Sequence, residues 1–298
     1  MDQHSSEQKM KFFIWGHKLH EHTHGYIHSS YYKAFQYLGY EVYWIDNRDD
    51  LNQYDFADSI FFTEDSVKKG MPLRKDCKYI THHIDTKYFT DAGVPYENVL
   101  KLGNYLPSLE VHEKVEDLAY WDQSTRTLYQ TWGTDLLPHE IDENNPVKFT
   151  PTNKKLNYVG MLYEQGPWWA QCFANILAPN HGVEFVVFTQ NVSDKENKRL
   201  IRSSFLCPDF RSDWHLQCGY IPCRIFKNIS YGRITGTNSP YIKRAFGDHV
   251  VYGGTPETLY TNLLEADKGS KVDMKAAMIF VKENHTYINR VNTILKFL

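Results

Sequence analysis

Two basic residues one helical turn apart, Arg224 and Lys227, are the part of this 298-residue sequence best suited to chemistry. They lie in the stretch 219–240, which also contains Gly232 and Gly236. A guanidinium presents a planar fork of donors to a phosphate, an ammonium adds a point charge, and glycines let the backbone approach closely. At a helix N-terminus such groups hold an anion, so the stretch predicts an anion-binding site.

The positive charge of the sequence is local. The whole chain has a formal net charge of −3 and a pI of about 6.5, which argues against the broad positive field that favours nucleic acid or an anionic membrane. Between residues 199 and 244, however, eight Lys and Arg stand against two Asp. Neither the Gly-x-x-x-x-Gly-Lys-Ser/Thr phosphate loop nor the Gly-x-Gly-x-x-Gly fingerprint occurs, which argues against an ATPase and a dinucleotide oxidoreductase.

A histidine-rich loop over residues 16–25 contains His17, His20, His22 and His24. Imidazoles bind zinc or iron, so one hypothesis is a metal site, although the spacing matches neither His-Glu-x-x-His nor a Cys/His pattern. The other hypothesis is a general base, because an unperturbed imidazole has a pKa of about 6.5 and could take a proton from a hydroxyl. We treat His24 and His17 as candidate bases and His20 and His22 as incidental residues of a polar loop.

A second titratable loop, residues 81–85, contains two histidines and Asp85 and follows a predicted strand. Asp85 could act as a base or could orient a histidine. It is at least as well suited to cap the N-terminus of a helix over Thr86–Phe89. Both interpretations stay open on the sequence.

In the second half of the chain, four residues at predicted strand ends could line a ligand site. Gly160 follows the strand 156–159 and would let the backbone approach a diphosphate. Phe188 ends a strongly apolar strand, and Phe210 and Arg211 follow the next one. The two rings could stack on a base, although ordinary core packing explains them at least as well.

The elements that must position these loops alternate between strand and helix. A βαβ unit is predicted from Lys11–Trp15, a helix over about 26–38 and Glu41–Ile45. Further strands are predicted at Ser59–Thr63, Lys78–His82, Val99–Leu102, Arg126–Gln130, Leu156–Val159, Val183–Phe188, Phe205–Pro208 and Val250–Tyr252. Further helices are predicted at Trp168–Leu177, Asp194–Ser203, Asp213–Cys218 and Met274–Phe297. This alternation predicts α/β domains with parallel sheets, whose ligands bind beyond the carboxyl ends of the strands.

The length predicts two domains, because single cores usually stop growing below this size. A polar segment with two prolines, residues 141–155, is the predicted linker between a domain over 1–140 and a domain over 156–272. Residues 273–298 are predicted to form a closing helix. Five scattered cysteines indicate free thiols in a reducing compartment, and no run of 18 apolar residues occurs, so we expect a cytoplasmic protein without a membrane span.

The segment 222–227, Pro-Cys-Arg-Ile-Phe-Lys, with Gly232 after it, resembles the Pro-x-Arg-x-Phe-Glu motif at the donor site of glycosyltransferases of the two-domain GT-B architecture. The glycine-bracketed first loop, Gly160 and the closing helix are similar to that architecture too. The chain differs from the motif at Lys227, where many relatives have a glutamate that binds the donor ribose. More faintly, it resembles the chlorovirus-type glycan-building xylosyltransferases.

The resemblance implies two Rossmann-like domains facing across a cleft, with the closing helix crossing back to the first domain. It implies transfer of a sugar from a nucleotide-diphosphate donor, with a UDP-sugar favoured, to a hydroxyl of a glycan acceptor. An inverting reaction would use His24, His17 or Asp85 as the base in the first, acceptor-binding domain. The implied donor-binding residues are Gly160, Phe188, Phe210, Arg211, Arg224, Lys227, Asn228 and Ser230.

The same resemblance implies that the nucleotide sugar is a co-substrate and that no metal or other cofactor is required. It implies no nucleic-acid partner, and a viral protein of this kind would act in the host cytoplasm. Two alternatives remain open. One is a metal-dependent hydrolase that uses the His17–His24 loop, and the other is a non-catalytic protein that binds a sugar or a nucleotide.

Overall fold

A computed structural model describes residues 10–16, 23–109, 118–189, 192–269 and 271–298, with only the backbone at residues 23 and 24. The chain divides into two compact units. Unit 1 takes its residues from Met1–Gly103, Trp121–Tyr129 and Val291–Leu298, and unit 2 from Asn104–Tyr120 and Gln130–Arg290.

One large sheet organises unit 1. In the described part of the chain it has seven strands: β1 Lys11–Trp15, β2 Glu41–Ile45, β3 Ile60–Glu64, β4 Lys78–His82, β5 Val99–Gly103, β6 Ala119–Asp122 and β7 Thr127–Gln130. Their order is β2-β1-β3-β4-β5-β7-β6, and the pairs from β2 to β7 are all parallel. Buried runs such as Phe-Phe-Ile-Trp in β1 are typical of a parallel strand covered on both faces. Two helices of this unit are α1 Thr23–Tyr37 and α2 Thr86–Thr90.

Unit 2 contains two smaller parallel sheets among its described residues. The strands β8 Lys155–Val159 and β9 Glu184–Phe188 form a pair. The other sheet consists of β10 Pro208–Asp209, β11 Gly236–Thr237 and β12 Val251–Tyr252 in that order. The helices that follow along the chain are α3 Gly166–His181, α4 Asp194–Arg202, α5 Asp213–Gln217, α6 Cys223–Ser230, α7 Pro240–Phe246, α8 Pro256–Gly269, α9 Met274–Asn284 and α10 Tyr287–Leu295.

The structure confirms a mixed α/β fold with parallel sheets. The bounds of β1, β2 and β4 coincide with the predicted runs. Within the predicted linker, residues 142–154 contain no helix or strand, and its last residue, Lys155, already begins β8. No helix within the described ranges is both long and apolar enough to cross a bilayer.

The predicted closing helix Met274–Phe297 is wrong, because two helices, α9 and α10, replace it. At the break, Asn289 Oδ1 accepts hydrogen bonds from the backbone N and from Oγ1 of Thr286, at 2.9 and 2.7 Å. The carbonyl of His285 accepts from the backbone N of Thr134 at 2.9 Å. These side-chain and loop partners replace the helical ladder at this point, and so α9 ends at Asn284.

Candidate anion-binding site

Loops at the carboxyl ends of β8 and β10 meet the N-terminus of α6 within unit 2. Gly160 follows β8, Arg211 follows β10, and Arg224 lies in the first turn of α6. Pro222 caps α6 and makes no side-chain capping hydrogen bond, so the first amides of this eight-residue helix are not capped by a side chain. In parallel sheets this is the edge at which ligands bind.

Asp209 is shared by two arginines, of which Arg211 is buried and Arg224 is largely buried. Its Oδ1 accepts hydrogen bonds from Nη2 of Arg211 and from Nη1 of Arg224, each at 2.7 Å. The side chains of Asp209, Arg211 and Arg224 are 0%, 6% and 11% exposed. One carboxylate therefore faces two guanidinium groups, which leaves a surplus positive charge in a largely buried cluster. Such a charge is costly unless an anion offsets it.

Two buried polar atoms of this cluster lack a hydrogen-bond partner within the described residues. They are Oδ2 of Asp209 and Nε of Arg211. The backbone of Arg211 is fixed on both sides by Asn238, whose Oδ1 accepts from the Arg211 N at 2.7 Å and whose Nδ2 donates to the Arg211 O at 2.9 Å. Arg211 is thus held firmly and still has donor capacity to offer a ligand.

Arg224 is anchored to the end of β8. Its Nε and Nη2 donate to the carbonyl of Val159 at 3.2 and 2.8 Å, and its Nη1 donates to the hydroxyl of Tyr158 at 2.6 Å as well as to Asp209. The guanidinium carbon lies 3.8 Å from the centroid of the Tyr158 ring, close enough for a cation–π contact. With four of the five N–H donors of a guanidinium engaged in this way, Arg224 mainly positions α6 against β8.

Gly160 makes room for Arg224. Its φ is +130°, and a Cβ built there would lie 2.2 Å from Nη2 of Arg224. Its N–H donates to the carbonyl of Phe188 at 2.8 Å. The close approach that the sequence suggests at Gly160 is therefore made to an arginine of the same unit.

The other polar residues of α6 have partners inside unit 2. Nζ of Lys227 lies 3.9 Å from Oδ2 of Asp135, with both side chains buried. Nδ2 of Asn228 donates to Oγ1 of Thr235 at 3.0 Å. The hydroxyls of Ser230 and Thr134 are 2.7 Å apart. Each of these side chains therefore has a partner within the unit, and the donor-binding role of Lys227, Asn228 and Ser230 stays a prediction.

The two predicted stacking rings differ in position. Phe210 is 3% exposed and stacks on Tyr158 and Trp169, with centroid separations of 5.5 and 5.6 Å. It belongs to the core, so core packing rather than base stacking explains this residue. Phe188 is half-buried at the end of β9, beside Gly160.

Of the candidate bases, Asp85 and the backbone of His24 are described, and both belong to unit 1. Asp85 caps α2, because its Oδ1 accepts from the backbone N of Lys87 at 2.8 Å. This is the capping geometry that the sequence also allows. His24 lies in the first turn of α1, where the backbone alone is described, and His17 lies outside the described residues.

The histidines at positions 20 and 22 also lie outside the described residues. Within the described part of the chain, no group of three or more His, Cys, Asp or Glu is arranged to hold a metal ion.

Sequence reasoning missed the central role of Asp209 and the ring of Tyr158 beneath Arg224. A signal for Asp209 exists, because it directly follows the strand predicted at 205–208 and so stands at a carboxyl end. Tyr158 carries no comparable signal, since it lies inside an apolar strand.

No protein-family profile matches the sequence, and no protein with a curated description matches it. Among solved structures the chain is similar to a UDP-forming α,α-trehalose-phosphate synthase from Burkholderia xenovorans in complex with glucose-6-phosphate, with 10% identity, 76% of this chain and 73% of that one covered, and a TM-score of 0.49. It is similar to an α1,3-fucosyltransferase with GDP, with 11% identity, 100% and 92% coverage and a TM-score of 0.48. It is also similar to TarM, with 10% identity, 77% and 56% coverage and a TM-score of 0.46. At this identity and these TM-scores the likenesses identify neither a family nor an activity.

Proposed function

We propose that the chain is a glycosyltransferase that moves a sugar from a nucleotide-diphosphate donor, with a UDP-sugar favoured, to a hydroxyl of a glycan acceptor. The observation that carries this proposal is the surplus positive charge of Arg211 and Arg224 around Asp209. It stands at the carboxyl edge of a parallel sheet and beside a helix N-terminus. A diphosphate would offset the charge and accept the hydrogen bond that Nε of Arg211 has to give.

In this proposal Arg211 acts on the leaving group and Arg224 positions the site. The acceptor oxygen forms a bond to the anomeric carbon as the bond from that carbon to the phosphate oxygen breaks. The departing diphosphate keeps the electron pair, and the fixed guanidinium of Arg211 stabilises the growing negative charge. The acceptor proton passes to a base, for which His24, His17 and Asp85 stay the proposed candidates in an inverting reaction.

The binding part of the proposal is tested by thermal shift of the whole protein with UDP-, GDP- and ADP-sugars. A ligand that binds the native state raises the melting temperature by mass action. We expect a UDP-sugar to raise it in the wild type and not in Arg211→Gln. Arg199→Gln is the matched control, because Arg199 is exposed on α4 and pairs with Glu196. If no nucleotide sugar shifts the wild type, the proposal is wrong.

Catalysis is tested by release of the nucleotide diphosphate from the donor in the presence of glycan acceptors. Binding without release would favour a non-catalytic binding protein. Full activity in a chelator would exclude the metal-dependent hydrolase, whereas bound stoichiometric zinc or iron would favour it.

A further inference from the structure

His215 lies beside the arginine cluster and has no part in the reaction proposed above. It is half-buried on α5, four residues after Arg211 in the chain. Its ring stacks on Tyr220, with centroids 4.8 Å apart and planes at 28°. The guanidinium carbon of Arg211 lies 5.7 Å from the centroid of the same Tyr220 ring. One tyrosine therefore supports both His215 and the arginine that we propose contacts the diphosphate.

The hydrogen bond to Ser212 orients the imidazole. Oγ of Ser212 lies 2.9 Å from Nδ1 of His215 and also accepts from the backbone N of His215 at 3.4 Å, as the cap of α5. The hydroxyl can accept the cap hydrogen bond with one lone pair and donate its proton to Nδ1 at the same time. The neutral ring then carries its own proton on Nε2. Within the described residues no other hydrogen bond is made by this ring.

Burial and charge keep the free imidazole neutral. Burial lowers the pKa of His215 below its usual value, and the positive charge of Arg211 lowers it further. The negative charges of Asp209 and of Glu164, in the loop after β8, act in the opposite direction. Two further aromatic rings lie beside it, those of Trp214 and Tyr163, at centroid separations of 5.3 and 6.4 Å.

We propose that His215 is a ligand-binding residue of the anion site, whose Nε2–H donates to an oxygen of the anion held by Arg211 and whose ring takes up a proton when that anion binds. The proposal rests on the proposed function only for the identity of the anion as a nucleotide diphosphate. The site itself would accept the same contact from a simple oxyanion such as sulfate.

Proton uptake follows from charge balance. An anion at Arg211 offsets the surplus positive charge that lowers the pKa of His215, so the pKa is higher in the bound state than in the free state. By linkage, affinity must then rise as the pH falls through the interval between the two pKa values. A residue that only supports the fold would give no such dependence.

The experiment measures the affinity of the whole protein for UDP-glucose and for sulfate between about pH 7.5 and about pH 5.5, the range in which an imidazole titrates. Neither probe has an ionisation of its own in this range, because each phosphate of UDP-glucose keeps only one, strongly acidic, hydroxyl and sulfate is already a dianion. The variants are His215→Phe, which keeps a ring on Tyr220, and His215→Asn, which keeps a donor that cannot titrate. His181→Phe is the control, since His181 is another partly buried histidine of unit 2, bonded to Tyr260.

We expect wild type and His181→Phe to bind more tightly as the pH falls. His215→Phe should bind about tenfold more weakly at low pH, as the loss of one hydrogen bond to a charged group predicts, and should lose the pH dependence. His215→Asn should bind without pH dependence, and it keeps the test valid if the phenylalanine variant does not fold.

The outcomes separate the two proposals. The role of His215 would be overturned if the wild type bound UDP-glucose without pH dependence, or if both His215 variants kept the pH dependence of the wild type. Either result would leave the glycosyltransferase proposal standing. Sulfate binding with the expected dependence, together with no binding of any nucleotide sugar, would support His215 and overturn the glycosyltransferase. If neither probe binds, both proposals are wrong.

Discussion

Nζ of Lys227 lies 3.9 Å from Oδ2 of Asp135, and their side chains are only 9% and 8% exposed. The hydroxyl of Tyr231 donates to both carboxylate oxygens of Asp135, at 2.7 and 2.6 Å. Lys227 thus faces an acid inside unit 2. The pair gives the Lys227 side chain a buried partner within its own unit.

The first prediction concerns this pair. Replacing Asp135→Asn should lower the free energy of unfolding by about 3 kcal/mol, because it leaves the buried ammonium facing a neutral group. Adding Lys227→Met should recover much of that loss. Urea denaturation of the two variants measures both effects. Asp91→Asn, which breaks the exposed pair with Lys87, is the control and should change stability little. Equal losses in the Asp135 and Asp91 variants would contradict the prediction.

The second prediction concerns the space at Gly160. Replacing Gly160→Ala should cost about 2 kcal/mol or more and should weaken nucleotide binding, because the new Cβ displaces Arg224 from a backbone that alanine already disfavours. Gly182→Ala is the matched control, since Gly182 has φ +59° but no atom within 4 Å of the position that a Cβ would take. Its cost should be the backbone strain alone, about 1 kcal/mol, with binding intact. The comparison is made by denaturation and ligand titration.

Much of the fold follows from the sequence, for a local reason. The runs Lys11–Trp15, Glu41–Ile45 and Lys78–His82 are predicted to the residue because each is a short run, rich in apolar and aromatic residues, that begins at a charged residue. The two-residue strand β11 is missed, because Gly236–Thr237 has no apolar run to reveal it. The break between α9 and α10 is missed because the apolar periodicity of the sequence continues through it. The break is caused by the hydrogen bond from Thr134 to His285 and by the side-chain hydrogen bonds between Thr286 and Asn289.

The site is predicted less well, because it depends on pairing between distant residues. Sequence reasoning finds the basic stretch and the carboxyl-edge position of Arg211. It does not find which arginine has a partner already, since Tyr158, Val159 and Asp209 meet Arg224 only in the folded unit. The partners of Arg224 and Lys227 are therefore known only from the folded unit.

The third prediction is acid sensitivity at the α9–α10 break. His285 is fully buried, and its Nδ1 lies 2.9 Å from Nη2 of Arg290, which can only donate. Burial, then the charges of Arg290 and His249, hold the pKa of His285 well below its usual value. Below about pH 6.5 the unfolded chain binds a proton here that the folded chain does not. Stability should therefore fall as the pH decreases, by up to about 1.4 kcal/mol per pH unit from this group.

The variant His285→Gln keeps an acceptor for Arg290 and removes the titration. Denaturation between about pH 7.5 and about pH 5.5 should show a smaller loss of stability in this variant than in the wild type. His139→Gln removes an exposed histidine instead and is the matched control. An unchanged pH dependence in the His285 variant would contradict the assignment.

The fourth prediction separates the two arginines that share Asp209. Arg211→Gln removes the surplus positive charge and leaves Asp209 paired with Arg224. The free energy of unfolding of this ligand-free variant should therefore be higher than that of the wild type, or lower by no more than about 1 kcal/mol. Arg224→Gln removes the hydrogen bonds to Val159 and Tyr158 along with the charge, and should cost about 2–3 kcal/mol. The free energy of unfolding of the ligand-free variants measures the contrast.

Each variant removes one positively charged partner of Asp209. A stability loss in Arg211→Gln as large as that in Arg224→Gln would therefore show that Asp209 needs both arginines. The cluster would then hold no surplus charge for an anion to offset.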